Sequence, residues 1–171
     1  MSVGTAVIIS IGAGVIAAAL EGLCAGRNVK PFFASLRFPA YSAPLWVWSI
    51  IGGLYYLSFC FVLYRLLRLD FDPVLRPVAL SLILFMMSLN AATNYIIFRA
   101  RDLRLSFIVG AFFPFMDVAL FCCLVQLDKI SAWSLIPYLL YRIYAVWWGY
   151  KVWQMNKHNS AAVPDPPHLP L

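Results

Sequence analysis

The chain has 171 residues, 63% of them hydrophobic and only 12% charged, with a mean hydropathy of +0.83. A soluble domain of this size could not hide so much apolar surface in one core, so lipid must be part of the solvent. The formal charge of +6 does not point to nucleic acid, because Lys and Arg lie at the ends of apolar runs and not on one basic face.

Crossing a bilayer takes about 20 mostly apolar residues, and five runs meet that measure, at about 3–23, 44–67, 77–98, 103–127 and 132–153. Each should be a helix, since hydrocarbon offers no partner for free backbone groups. The expected fold is an all-α membrane protein, a bundle of five transmembrane helices over 1–156, followed by a polar, Pro-rich tail at 157–171. The first run lacks a basic lead and continues into Glu21 and Cys24 without a clear cleavage site, so it reads as a span and not a signal peptide. In it Ser10, Gly14, Ala18 and Gly22 recur every four residues, a seam for close packing inside the bundle or between protomers.

The breaks between runs carry the charges, and their balance sets the topology. Loops one and three with the C-terminal flank hold Arg27, Lys30, Arg37, Arg99, Arg101, Arg104, Lys151 and Lys157. The other side holds only Arg65, Arg68, Arg76 and Lys129. The positive-inside rule then places the C-terminus in the cytosol, and leaves open a mitochondrial outer, endoplasmic reticulum or bacterial membrane.

Cys24, Cys60, Cys122 and Cys123 show no metal-binding spacing, and three of them lie inside apolar runs, where cysteine behaves as a small hydrophobe. His158 and His168 both fall in the tail. A buried His-based metal site or a Ser/His/Asp triad is therefore not expected, nor is any catalytic residue.

Three polar or aromatic features inside the spans carry the candidate chemistry. Asn90 and Asn94 lie one turn apart, where an amide must meet another helix or a ligand; the residues alone slightly favour interhelical bonding. Asp117 precedes the turn near residue 129 by twelve residues and Arg142 follows it by thirteen, so antiparallel neighbours bring them to equal depth, about 18–20 Å from the turn. A buried ion pair is expected, structural in preference to a proton or substrate relay. In the last span Trp133 and Trp153 fit an interfacial belt, whereas Tyr141, Tyr144 and Trp148 share one face, with Ala145 and Gly149 leaving a groove beside them. Such a wall suits a flat apolar ligand.

The segments LRFPAYSAPLWVW (36–48), SLN (88–90), IPYLLY (136–141) and AVWWGYKVWQMN (145–156) together resemble the translocator protein / tryptophan-rich sensory protein family, TspO/MBR, also called the peripheral benzodiazepine receptor family. The resemblance covers nearly the whole chain. It implies a five-helix bundle, often a homodimer, that binds porphyrins, sterols and synthetic aromatic ligands in a pocket capped by the first loop. On this chain it marks Pro39, Pro44, Trp46, Asn90, Pro137, Tyr138, Leu139 and Ala145, with Tyr150 and Trp153 at the sterol-recognition end. The chain departs from the family at Tyr41, Gly52, Thr93 and Tyr141, where the family has Trp, at Gly149 for Asn, and at Gln154 for Arg.

The residues expected at the ligand are thus Tyr41, Pro44, Trp46, Trp48, Asn90, Tyr138, Tyr141, Ala145 and Trp148. The expected function is a non-enzymatic membrane receptor or carrier for a hydrophobic ligand of porphyrin or sterol class. No cofactor is expected, a porphyrin or haem being a candidate ligand; the partners are the bilayer, the small molecule and a second copy of the chain, not nucleic acid. One alternative is a structural subunit or scaffold that keeps the fold without binding, which the missing tryptophans favour. A tetrapyrrole-degrading enzyme is a third reading.

Overall fold

The computed structural model describes residues 1–68 and 72–157; most of the tail, with His158 and His168, and Asp70 of the second loop lie outside the described residues. The described residues are helical and contain no strand. Five long helices, α1 (Val3–Ala25), α3 (Leu45–Arg68), α4 (Leu75–Phe98), α5 (Leu103–Leu127) and α7 (Ile136–Met155), are joined by two short ones, α2 (Val29–Ser35) and α6 (Lys129–Ser134). Four of these, α1, α3, α4 and α5, are long and apolar enough to cross a membrane on composition alone. Helix α7 has twenty residues, about 30 Å at 1.5 Å per residue, but Arg142, Lys151 and its aromatic tips make it more polar.

Local chemistry sets the helix ends. Ser2 caps α1 by accepting from the Thr5 amide, and Gly26 ends it at φ 74°, a left-handed conformation that glycine adopts without a Cβ clash. Asp102 caps α5 by accepting from the Leu105 amide at 2.8 Å. The last expected span, at 132–153, is broken in the structure at Leu135: α6 turns into α7, because Pro137 has no N–H to give to the carbonyl one turn back.

The long helices form a ring in the order α3, α1, α4, α5, α7. On α3 the buried positions Tyr55, Phe59, Val62, Leu63 and Leu66 recur at helical spacing and meet Ala79, Ile83, Met86 and Met87 of α4. Outside, Ile8, Ile16, Leu57, Phe115 and Ile143 are exposed, as a lipid-facing surface requires. On α1 the small-residue seam is only half inside. Ser10 and Gly14 are buried, with Ala6 and Ala17, but Ala18 and Gly22 are exposed. A strict four-residue repeat advances about 40° per step beyond a full turn, so it leaves the packed face after two steps.

The ring is sealed differently at its two ends. At the α6 end, Arg65 of α3 makes a two-pronged ion pair with Asp128, which also caps α6 by accepting from the Ser131 amide at 3.3 Å and its hydroxyl at 2.5 Å. Hydrogen bonding from Arg65 foremost, with help from Ser131, holds the Asp128 carboxyl down at about 2. At the other end α3 and α7 meet through aromatic rings, Trp48 against Tyr141, Tyr144 and Trp148, and a cavity lies between them.

Candidate functional site

Loop one forms the roof of this cavity. It is pinned by Asn156, which is 2% exposed: its amide nitrogen donates to the Arg37 carbonyl at 2.9 Å and its oxygen accepts from the Arg37 amide at 3.0 Å. Further along, the Tyr144 hydroxyl donates to the Tyr41 carbonyl at 2.9 Å, and the Trp148 indole donates to Ser42 Oγ at 2.8 Å. The Trp48 indole donates to the Ala43 carbonyl at 3.0 Å. Phe38 stacks on Trp148 with ring centroids 6.1 Å apart. The loop therefore bonds to both rims, α3 and α7.

Beneath it lies a cavity of about 250 Å³. Its aromatic wall is Trp48, Tyr141 and Trp148, with Trp48 and Trp148 centroids 4.5 Å apart and Trp48 edge-on to Tyr141 at 6.1 Å. Tyr138 and Ala145 also line it, as does Asn90 on the opposite side. Other sequence-derived candidates do not reach it. Trp46 is 65% exposed and Tyr41 84% exposed; Tyr41 offers only its backbone carbonyl, and Pro44 only the carbonyl that accepts from the Val47 and Trp48 amides at the start of α3. Trp46 and Trp48 are two positions apart, which on a helix is nearly opposite faces. Tyr150 and Trp153 pack instead around Phe107, each with its ring 5.5 Å from that ring.

Four of the family departures sit on this cavity: Gly52, Thr93, Tyr141 and Gly149 all line it. A Cβ added at Gly52 would meet nothing within 4 Å. At Gly52, where the resemblance implies a Trp, the space stays open.

At the polar side stands a residue that sequence reasoning uses only to argue against a cleavage site. The Glu21 carboxylate accepts from the Tyr56 hydroxyl at 2.5 Å, from Asn90 Nδ2 at 2.9 Å and from Asn94 Nδ2 at 3.0 Å. Asn94 Nδ2 also donates to the Asn90 carbonyl at 3.1 Å, which fixes its amide with the nitrogen toward Glu21. The signal that marks Glu21 is its position, a lone carboxylate in an otherwise apolar run. Asn156, in contrast, carries no such signal.

Deeper in the cavity Arg142 donates through Nε to Asp117 Oδ2 at 3.1 Å, and Asp117 is 2% exposed. The guanidinium also donates to the Tyr138 hydroxyl and sits 4.3 Å over the Phe113 ring. Asp117 Oδ1 and the Tyr55 hydroxyl are buried without a hydrogen-bond partner. Among the described residues no group of His, Cys, Asp and Glu could hold a metal ion.

No curated protein matches the chain. Among protein families the TspO/MBR family matches over residues 6–154. That stretch runs from the first turn of α1 to the last turn of α7 and includes every residue that lines the cavity, and the chain belongs to the TspO/MBR family.

Proposed function

We propose that this protein is a non-enzymatic receptor or carrier that takes a flat, hydrophobic ligand of porphyrin or sterol class into the cavity under loop one. The observation that carries the reading is the combination of an aromatic wall, Trp48, Tyr141 and Trp148, with the hydrogen-bonded Glu21, Asn90 and Asn94 across an open space. Aromatic and apolar walls with a few convergent polar groups are what ligand sites in proteins look like. At about 250 Å³ the cavity lies just under the ~300–1,000 Å³ of drug-sized sites. A two- or three-ring body matches that volume, whereas a porphyrin or sterol is larger and would require loop one to open. Space at Gly52 supports binding over a purely structural subunit, which would gain from filling it.

Trp48 and Trp148 report occupancy directly. Titrating detergent-solubilised protein with octaethylporphyrin, which has the flat ring and no carboxylates, or with a sterol fluorescent in its ring system, should quench tryptophan emission saturably. Gly52→Phe, which grows into the open space, should abolish the quench while leaving the melting temperature near that of the parent. Unsaturable quenching, or equal binding by Gly52→Phe, overturns the reading.

A further inference from the structure

Charge inside a membrane helix is costly and needs a partner, and the cavity has two charged side chains on its lining, Glu21 and Arg142. Arg142 has its partner in Asp117 at 3.1 Å. Glu21 has none: among the described residues the ion pairs are Arg65 with Asp128 and Arg142 with Asp117. Arg99, which reaches the same end of α1, gives its guanidinium to the Leu23 carbonyl instead. The three groups that bond Glu21, from Tyr56, Asn90 and Asn94, are neutral donors, so they solvate the carboxylate without neutralising it. They use three of the roughly four acceptor positions of a carboxylate, and the cavity lies beside it.

We propose that Glu21 makes this cavity selective for a ligand with a cationic head, a protonated amine carried on an aromatic or fused-ring body. The ammonium N–H takes the remaining acceptor position of Glu21 and supplies the missing counter-charge. The rings of Trp48, Tyr141 and Trp148, on the lining of the same cavity, present the π faces that attract a desolvated cation. Thr93, whose hydroxyl donates to the Leu89 carbonyl at 2.8 Å, keeps its acceptor lone pairs for a second ammonium N–H. Arg142 does not oppose this, since Asp117 offsets its charge. An anionic head in the same place would meet Glu21 with no cation to separate them.

The inference rests on the cavity being a ligand site, and the test separates the two claims. Three probes share one ring system and differ in the head: naphthylmethylamine, naphthylmethanol and naphthoic acid. Calorimetric titration into the full-length protein in a non-ionic detergent near neutral pH should rank them amine, alcohol, acid, with the amine tighter than the alcohol by about tenfold or more, as a charge-assisted hydrogen bond supplies. Glu21→Gln should weaken the amine about tenfold more than it weakens the alcohol, so that the amine-over-alcohol ratio collapses towards one. Alcohol binding by the variant shows that it is folded. Where the variant does not fold, the ranking on the parent decides. Equal affinity for amine and alcohol on the parent, or an amine preference that survives Glu21→Gln, overturns the cation selectivity and leaves the ligand site standing. If none of the three probes binds the parent, the ligand site falls and this inference with it.

Discussion

Glu21 and Arg142 both carry charge into the cavity, and they are held in opposite ways. Arg142 is bound to one anion, one hydroxyl and two ring faces, those of Phe113 and Tyr138, so removing Asp117 strands a buried cation. Asp117→Leu or Arg142→Leu alone should destabilise the protein by about 3–5 kcal/mol, whereas the double change should recover most of that loss. Melting in detergent across the four proteins checks it, and additive losses would mean that the two side chains do not depend on each other. Gly14 raises a steric question. A Cβ there would overlap Cys60 Sγ, so Gly14→Val should cost about 1–3 kcal/mol and Cys60→Ala should restore part of it. Gly12, with nothing within 4 Å of an added Cβ, should accept Ala without loss in the same assay.

Among the elements, loop one and the α6 corner each depend on one side chain. Asn156 holds the roof with two bonds to the Arg37 backbone, each worth about 1 kcal/mol net. Asn156→Leu should therefore speed amide hydrogen exchange over residues 29–44 and shorten ligand residence several-fold, with the five long helices exchanging as before. Asp128 governs the opposite end. Arg65 depresses its carboxyl to about 2, so the folded state binds fewer protons than the unfolded one as pH falls. The stabilisation is complete above the ordinary carboxylate range near 3.9 and is lost as pH drops towards 2. The melting temperature should fall by several degrees over that window, and Asp128→Asn should start lower and lose that part of the dependence.

At the scale of the molecule, a ring of five helices is tight at one end and propped open by rings at the other. Helix α3 closes on α6 through Arg65 and Asp128, yet touches α7 through Trp48, Tyr141, Tyr144 and Trp148. Close backbone packing at both ends would leave no cavity. The roofed end also carries Arg27, Lys30, Arg37 and Arg99, Arg101 and Arg104. The positive-inside rule predicts that this end faces the cytosol. A reporter fused after Leu171 should be reached by a membrane-impermeant reagent only from the cytosolic side, and labelling from the other face alone would reverse the orientation.

Membrane residence and the helical class were legible in the sequence, because apolar runs of that length can satisfy their backbone only as helices. Counting back and forward from residue 129 also paired Asp117 with Arg142, and the two side chains do bond at 3.1 Å, although α6 and not a single turn joins their helices. The break at Leu135 was missed, although Pro137 was there to mark it. What only the tertiary structure decided is which faces meet. Glu21 lies 69 and 73 positions from the two asparagines that bond it, and no local pattern links α1 to α4. Likewise Trp46 and Trp48 read alike in the chain, and the rotation of α3 against its neighbours turns one outward and makes the other the wall of the cavity. Helix rotation and neighbour order are set by side-chain packing summed over the whole bundle, and that sum exists only once all five helices are in place.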